Sequence, residues 1–219
     1  MTRIIAIVEG YTEFEFVKTA IYNHLWPLDI FISPILISTK IKKNITLARG
    51  GYSKYKIAKK DILGSMHQSD NPYVTTLLDY YGLPFDYPGK DDLPAGNCYL
   101  KVAHLEQRLA NDINNHRFIP YLQLHEFEAI LFTSPLEICN ALASNENIEQ
   151  LELIRRNFNN PEEINDDPTT CPSRRISNLF IEYNKVVHGT LISQRIGLPA
   201  IREACPHFND WLTKLENLA

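Results

Sequence analysis

The chain has 219 residues, 44% of them hydrophobic, with 22 basic against 26 acidic side chains and a net charge of −4. This composition suits one large globular domain, or a sheet domain with a helical extension, and the negative balance argues against a general nucleic-acid coat protein. No apolar run reaches the ~18 residues of a membrane span, and the N-terminus lacks the basic-then-apolar order of a signal peptide, so a cytoplasmic protein with no membrane partner is expected. Cys98, Cys139, Cys171 and Cys205 show no short pairing and read as reduced, structural thiols.

The run Ile4 to Val8 has no polar residue and predicts a strand covered on both faces, ending at Glu9 and turning at Gly10. Thr12 and Glu15 have capping-box spacing, so a helix is expected over 12–25, with Pro27 ending it. Ile30 to Ser38 is a second strand, in which Pro34 suggests a sheet edge or a bulge. Between Lys40 and Lys60 stand eight basic residues and no acid, leaving 14 basic against 26 acidic elsewhere, so the positive charge is local. Within that stretch Gly50-Gly51 is a hinge before a helix expected from Ser53 to Met66. Tyr73 to Leu78 is a third strand, running into Asp79. Leu83 to Asn97, rich in Pro, Gly and Asp, reads as a surface loop. A helix from Tyr99 to Asn111 is expected to bring Leu100, Leu105 and Leu109 onto one side. Phe118 to Leu124 is a fourth strand, running into His125, Glu126 and Glu128.

From Ser134 onward the signals are helical. Ser134-Pro135 and Asn160-Pro161 open helices, Ser173 is expected to cap one beginning at Arg174, and Gly197 and Pro206 divide the tail. The expected fold is α/β: a mostly parallel four-stranded sheet flanked by helices over residues 1–132, with a helical extension over 133–219 packed on it. Strand–helix alternation implies right-handed crossovers, which gather the carboxyl ends of the strands at one edge. Glu9, Asp79 and Glu126 or Glu128 then converge. Clustered carboxylates repel unless a hard cation such as Mg²⁺ or Mn²⁺ neutralises them, and such a site performs phosphoryl chemistry.

His125 is a candidate base or ligand beside those acids. Glu13 and Glu15 read as first-turn acids that favour the helix dipole. Arg174 and Arg175, at a predicted helix start, are candidates for holding phosphate. Lys40, Lys42, Lys43, Arg49, Lys54 and Lys56, with Tyr52 and Tyr55 interleaved, suit a nucleic-acid backbone with bases stacked on the rings.

Val8-Glu9-Gly10 at the end of the first strand, with Asp79 at the end of a later one, resembles the Toprim domain of topoisomerases, primases and nucleases of the overcoming-lysogenization-defect type. Longer strings extend the likeness over nearly the whole chain: Val8 to Glu13, Leu78 to Gly82, Pro120 to Phe132, Pro161 to Asn165, Pro172 to Ile176, Ile196 to Leu198 and Cys205 to Phe208. Together they resemble a bacterial family of unknown function related to Toprim, often encoded beside an AAA or ABC-type ATPase. The resemblance implies a Mg²⁺- or Mn²⁺-dependent nuclease acting on DNA or RNA, in phage defence or DNA repair, with an ATPase partner and room for a homodimer. It also admits a non-catalytic sensor subunit and a primase-like nucleotidyl transferase. One departure stands out: Toprim domains generally carry Asp-x-Asp at the later strand, whereas this chain has Asp79-Tyr80-Tyr81.

Overall fold

The computed structural model describes residues 1–38, 53–165 and 167–219. Strand β1 is Thr2–Val8, and its segment Ile4 to Val8 is buried throughout, because a central parallel strand is covered on both faces. Strands β2 (Ile30–Leu36) and β3 (Tyr73–Asp79) flank it, with Ala6 opposite Pro34 on one side and Thr75 on the other. The sheet order β2-β1-β3-β4 leaves β2 at the edge, where a proline that cannot donate to a ladder is tolerated. All strand pairings among the described residues are parallel, so the expected α/β class holds.

The fourth expected strand is two short ones. β4 (Phe118–Ile119) and β5 (Leu122–Gln123) both pair with β3, interrupted at Pro120, which has no N–H to offer. Threonine side chains of β3 satisfy the interrupted backbone. The Thr75 hydroxyl donates to the Ile119 carbonyl at 2.7 Å, the Thr76 hydroxyl donates to the Tyr121 carbonyl at 2.8 Å, and the Tyr121 N–H donates to Thr76 Oγ1 at 2.9 Å.

The first helical stretch starts one residue earlier than expected, as α1 (Tyr11–Phe16), a π-helical turn (Val17–Ile21) and α2 (Tyr22–Leu25). Gly10, not Thr12, is its N-cap: the Gly10 carbonyl accepts the Phe14 N–H at 3.0 Å, and Thr12 is buried inside the helix. On one sheet face Ile5, Ile7, Val74 and Leu78 pack against α3 (Tyr55–Met66) and α4 (Cys98–Ile113). Leu100 does not join that face. Five residues from Leu105, it falls about 140° away around a helix of 3.6 residues per turn, and it is exposed.

The other face, with Ile4, Ala6, Val8 and Leu77, is covered by the first helical stretch and by the C-terminal helices. These are α5 (Glu128–Leu131), α6 (Pro135–Ala141), α7 (Ile148–Arg156), α8 (Pro172–Leu179), α9 (Thr190–Ile196), α10 (Leu198–Ala204) and α11 (Pro206–Glu216). Trp211 of α11 stacks on Tyr121 at 4.5 Å, and its indole N–H donates to Thr75 Oγ1 at 2.8 Å. Truncating a buried tryptophan costs about 3–5 kcal/mol, so this ring alone fixes α11 firmly on the sheet. Buried Glu162 caps α11 by accepting the N–H groups of His207 and Phe208, each at 2.9 Å. Ser134 and Asn160 cap as their sequence pattern predicts.

Candidate functional site

The carboxyl ends of β1, β3 and β5 open into a cavity of about 650 Å³, lined by five acids: Glu9, Glu13, Asp79, Glu126 and Glu128. Glu9 follows β1, Asp79 ends β3, and Glu126 and Glu128 follow β5, so parallel topology brings together residues that lie far apart in sequence. Glu9 Oε2 accepts the backbone N–H of Asp79 at 3.3 Å, and Asp79 Oδ1 accepts the N–H of Phe127 at 3.0 Å. The β3 and β5 exits are stitched by the Tyr80 N–H to Gln123 O at 3.0 Å and the Tyr81 N–H to His125 O at 2.8 Å.

Two glycines make room for these carboxylates. Gly10 has extended backbone open to any residue, so its role is not the turn freedom the sequence suggested. A Cβ there would sit 2.9 Å from Glu13 Oε2. A Cβ on Gly82 would stand 3.0 Å from Glu9 Oε1.

The carboxylates act on one another. Burial raises the pKa of Glu9, opposed by the Asp79 amide and Lys185 and reinforced by Glu126. Burial, with repulsion from Glu9, pushes Glu13 up to about 7. Asp79 is held well above the usual carboxylate range by burial and by Glu13, Glu9, Glu126 and Glu128. Glu128 is pushed up to about 7 by burial, despite Lys185.

Lys185 enters from a π-helical turn (Lys185–Gly189) between α8 and α9. Its Nζ stands 3.4 Å from Glu126 Oε2 and 3.1 Å from Glu128 Oε1. The two acids outweigh the effect of burial and raise its pKa. The turn packs closely on α1, because a Cβ at Gly189 would lie 2.9 Å from Thr12 Cγ2. Tyr183 also reaches Glu128, donating its hydroxyl to Oε1 at 3.4 Å.

Of the residues singled out in the sequence, Glu9, Asp79, Glu126, Glu128 and Arg174 line the cavity. Others stand elsewhere. His125 is buried and is not among the lining residues; its left-handed backbone (φ 61°) makes the sharp turn between β5 and Glu126. Arg175 is engaged within its own segment: its Nε donates to the Thr170 carbonyl at 2.5 Å, its Nη2 donates to Asn165 Oδ1 at 3.1 Å, and its guanidinium lies over Phe158. Ser173 is not a helix cap, because α8 begins at Pro172. Both its N–H and its hydroxyl donate to Glu126, the hydroxyl at 3.0 Å. Lys54 and Lys56 are exposed and outside the cavity lining, and Tyr55 is buried with its hydroxyl on Asp112, which removes it as a stacking platform. Lys40, Lys42, Lys43, Arg49 and Tyr52 lie outside the described residues.

Two further charged residues line the cavity: Glu13, which reads from the sequence first as a first-turn acid, and Lys185. Glu13 stands in the first turn of α1, where the helix dipole already accounts for an acid. No local pattern marks Lys185.

The lining residues fit Mg²⁺ or Mn²⁺ in kind: the acids offer hard oxygen donors whose mutual repulsion a divalent cation relieves. They are not drawn together around one point. Among the described residues no three acidic, histidine or cysteine side chains form a ready metal cage, and Lys185 supplies the positive charge beside Glu126 and Glu128. No helix of the described residues is long and apolar enough to cross a membrane.

None of the curated proteins compared with the chain matches it. Among solved structures, the C-terminal region of the Burkholderia pseudomallei OLD protein is similar over 100% of this chain and 98% of that one, at 15% identity and a TM-score of 0.49. The C-terminal region of the Xanthomonas campestris pv. campestris OLD protein is similar over 97% of each chain, at 16% identity and a TM-score of 0.39. At these levels the fold assignment rests on the sheet topology itself. A family model described as a domain of unknown function, DUF4276, matches residues 8–216, from the last residue of β1 to the last of α11, and the chain belongs to that family.

Proposed function

We propose that this protein is a divalent-metal-dependent nuclease acting on nucleic-acid phosphodiesters, working with an ATPase partner. The observation that carries the reading is the convergence of five mutually repelling carboxylates at the carboxyl edge of a parallel sheet, where open α/β folds place their ligands. Glu9, Glu13 and Asp79 would hold Mg²⁺ or Mn²⁺, with Glu13 supplying the acid that Tyr81 does not. A cation bound there supplies Lewis-acid polarisation of the phosphate and acidifies a water. Glu128, pushed up to about 7, is poised to take or give a proton near neutral pH. Glu126 holds Ser173 and, with Glu128, anchors the Lys185 ammonium. Arg174, exposed at the rim, offers a guanidinium to a phosphate oxygen.

The test is cleavage of labelled single- and double-stranded DNA and of RNA, with Mg²⁺, Mn²⁺ or EDTA. Metal-dependent cutting is expected, reduced at least about 100-fold in Glu9→Gln and Asp79→Asn. No cutting with either metal, alone or with the proposed ATPase partner, overturns the reading.

A second reading, a non-catalytic regulatory subunit, is favoured by the Lys185 ammonium on Glu126 and Glu128 and by tyrosine at position 81. Mn²⁺ binding without cutting supports it. Incorporation of labelled nucleotide without strand cutting would instead mark a primase-like transferase.

A further inference from the structure

Two exposed tyrosines stand at the mouth of the acidic cavity. Tyr11 is 62% exposed and Tyr81 is 42% exposed, and both line the cavity. Their placement follows from the strands. Tyr11 comes two residues after Glu9 and Tyr81 two residues after Asp79, and β1 and β3 are adjacent, with Val8 opposite Leu77. The rings therefore leave neighbouring strand ends beside the two central carboxylates. On the extension side of the same cavity Val186 is also exposed. Leaving aromatic area in water has a hydrophobic cost, and such rings at a ligand mouth offer flat platforms to a flat partner.

The chemistry of the rim selects the partner. Arg174 and Lys185 are the cations among the described lining residues, and Lys185 is engaged by Glu126 and Glu128. Binding of an unpaired strand adds base–aromatic stacking to its phosphate contacts. In a duplex each base face is covered by its neighbours and only the base edges face the grooves. A tyrosine ring can stack only where a base face is open. The cavity of about 650 Å³ lies within the range of about 300–1,000 Å³ typical of small-ligand sites, which gives room for one nucleotide unit.

We infer that Tyr11 and Tyr81 stack on unpaired bases flanking the phosphate presented to the carboxylates, so that the substrate is an unpaired strand. This rests on the nuclease reading for what happens at the phosphate, but the binding it describes is measured separately. The probes are a labelled oligothymidylate, the same strand carrying abasic sites across its centre, and a blunt hairpin duplex. Binding is followed by fluorescence anisotropy with Ca²⁺ in place of Mg²⁺. Wild-type protein is expected to prefer the oligothymidylate. Tyr11→Ala and Tyr81→Ala should each weaken that binding on the order of 10- to 100-fold, the range of one lost base–aromatic stack. Tyr11→Phe and Tyr81→Phe, which keep the ring, should bind within about threefold of wild type, and the alanine variants should lose nothing further on the abasic strand. Melting curves establish that the variants are folded.

Alanine variants that bind the oligothymidylate like wild type, phenylalanine variants that fail as badly as alanine, or tighter binding to the duplex would each overturn the inference. So would an absence of binding to all three probes. Stacking as described with no cutting in Mn²⁺ removes the nuclease reading alone, and cutting with unchanged alanine variants removes the stacking alone.

Discussion

Replacing Glu13 by glutamine is expected to stabilise the metal-free protein at pH 8 and to leave it nearly unchanged at pH 5. The folded-state pKa of Glu13 is raised from 4.5 to about 7, by burial first and then by Glu9 among its neighbours. A carboxyl with a raised folded pKa contributes its stability below the unfolded value and loses it as pH rises through the folded value. The window is therefore about pH 4.5 to 7, and above it the folded protein holds a carboxylate it would rather protonate. One pKa unit corresponds to about 1.4 kcal/mol, so the full shift is worth on the order of 3 kcal/mol. Backbone amides of Glu13 and Gly10 favour the ionised form, and glutamine serves them less well, which leaves about 2 kcal/mol. In a chain of this size that is a rise in melting temperature of roughly 4–8 °C. The assay is thermal unfolding in EDTA at pH 5 and pH 8, repeated at pH 8 with Mn²⁺. Wild type should gain more from Mn²⁺ than Glu13→Gln does. A variant less stable than wild type at pH 8, or shifted equally at both pH values, would show that burial of a strained Glu13 carboxylate is not what limits stability there.

Gly10→Ala should displace the Glu13 carboxylate, because the added Cβ would approach Oε2 to 2.9 Å, and titration calorimetry should show weakened Mn²⁺ binding in a protein that melts within a few degrees of wild type. Lys185→Met removes the ammonium from Glu126 and Glu128; the metal-free protein should lose about 1 kcal/mol at pH 8, discounted for the half-exposed lysine, and less at pH 5, as urea titrations can measure. Glu162→Ala leaves two N-terminal amides of α11 without their acceptor, and urea unfolding should show a loss of about 2–4 kcal/mol with the cavity acids untouched.

The site was legible where sheet topology alone decides. Glu9, Asp79, Glu126 and Glu128 each follow an apolar run, and parallel strands must deliver such residues to one edge. Glu13 was not, because an acid in a helix's first turn already has an adequate explanation in the dipole, and nothing local distinguishes an acid that also turns into a cavity. Lys185 lies 57 residues beyond Glu128, so only the packing of the C-terminal helices, with Gly189 against Thr12, brings it there. Ser173 has the composition of a cap, but Pro172 starts the helix and frees both its donors for Glu126. The broken fourth strand follows the same rule: Phe118 to Leu124 reads as one run, and the Thr75 and Thr76 hydroxyls that make the break at Pro120 tolerable come from another strand. Lys185, Ser173 and the fourth strand depend on partners distant in sequence, Thr12 and Leu100 were misread on local spacing alone, and strand runs, the Ser134 and Asn160 caps and the strand-end acids carry their reasons locally.

In the proposed nuclease, Glu9, Glu13 and Asp79 jointly hold a hard divalent cation. Anomalous scattering from a crystal soaked in Mn²⁺ tests it directly. A peak is expected with carboxylate oxygens of Glu9, Glu13 and Asp79 all at about 2.0–2.4 Å. A soaked crystal with no peak in the cavity, and with Lys185 still seated on Glu126 and Glu128, would contradict it.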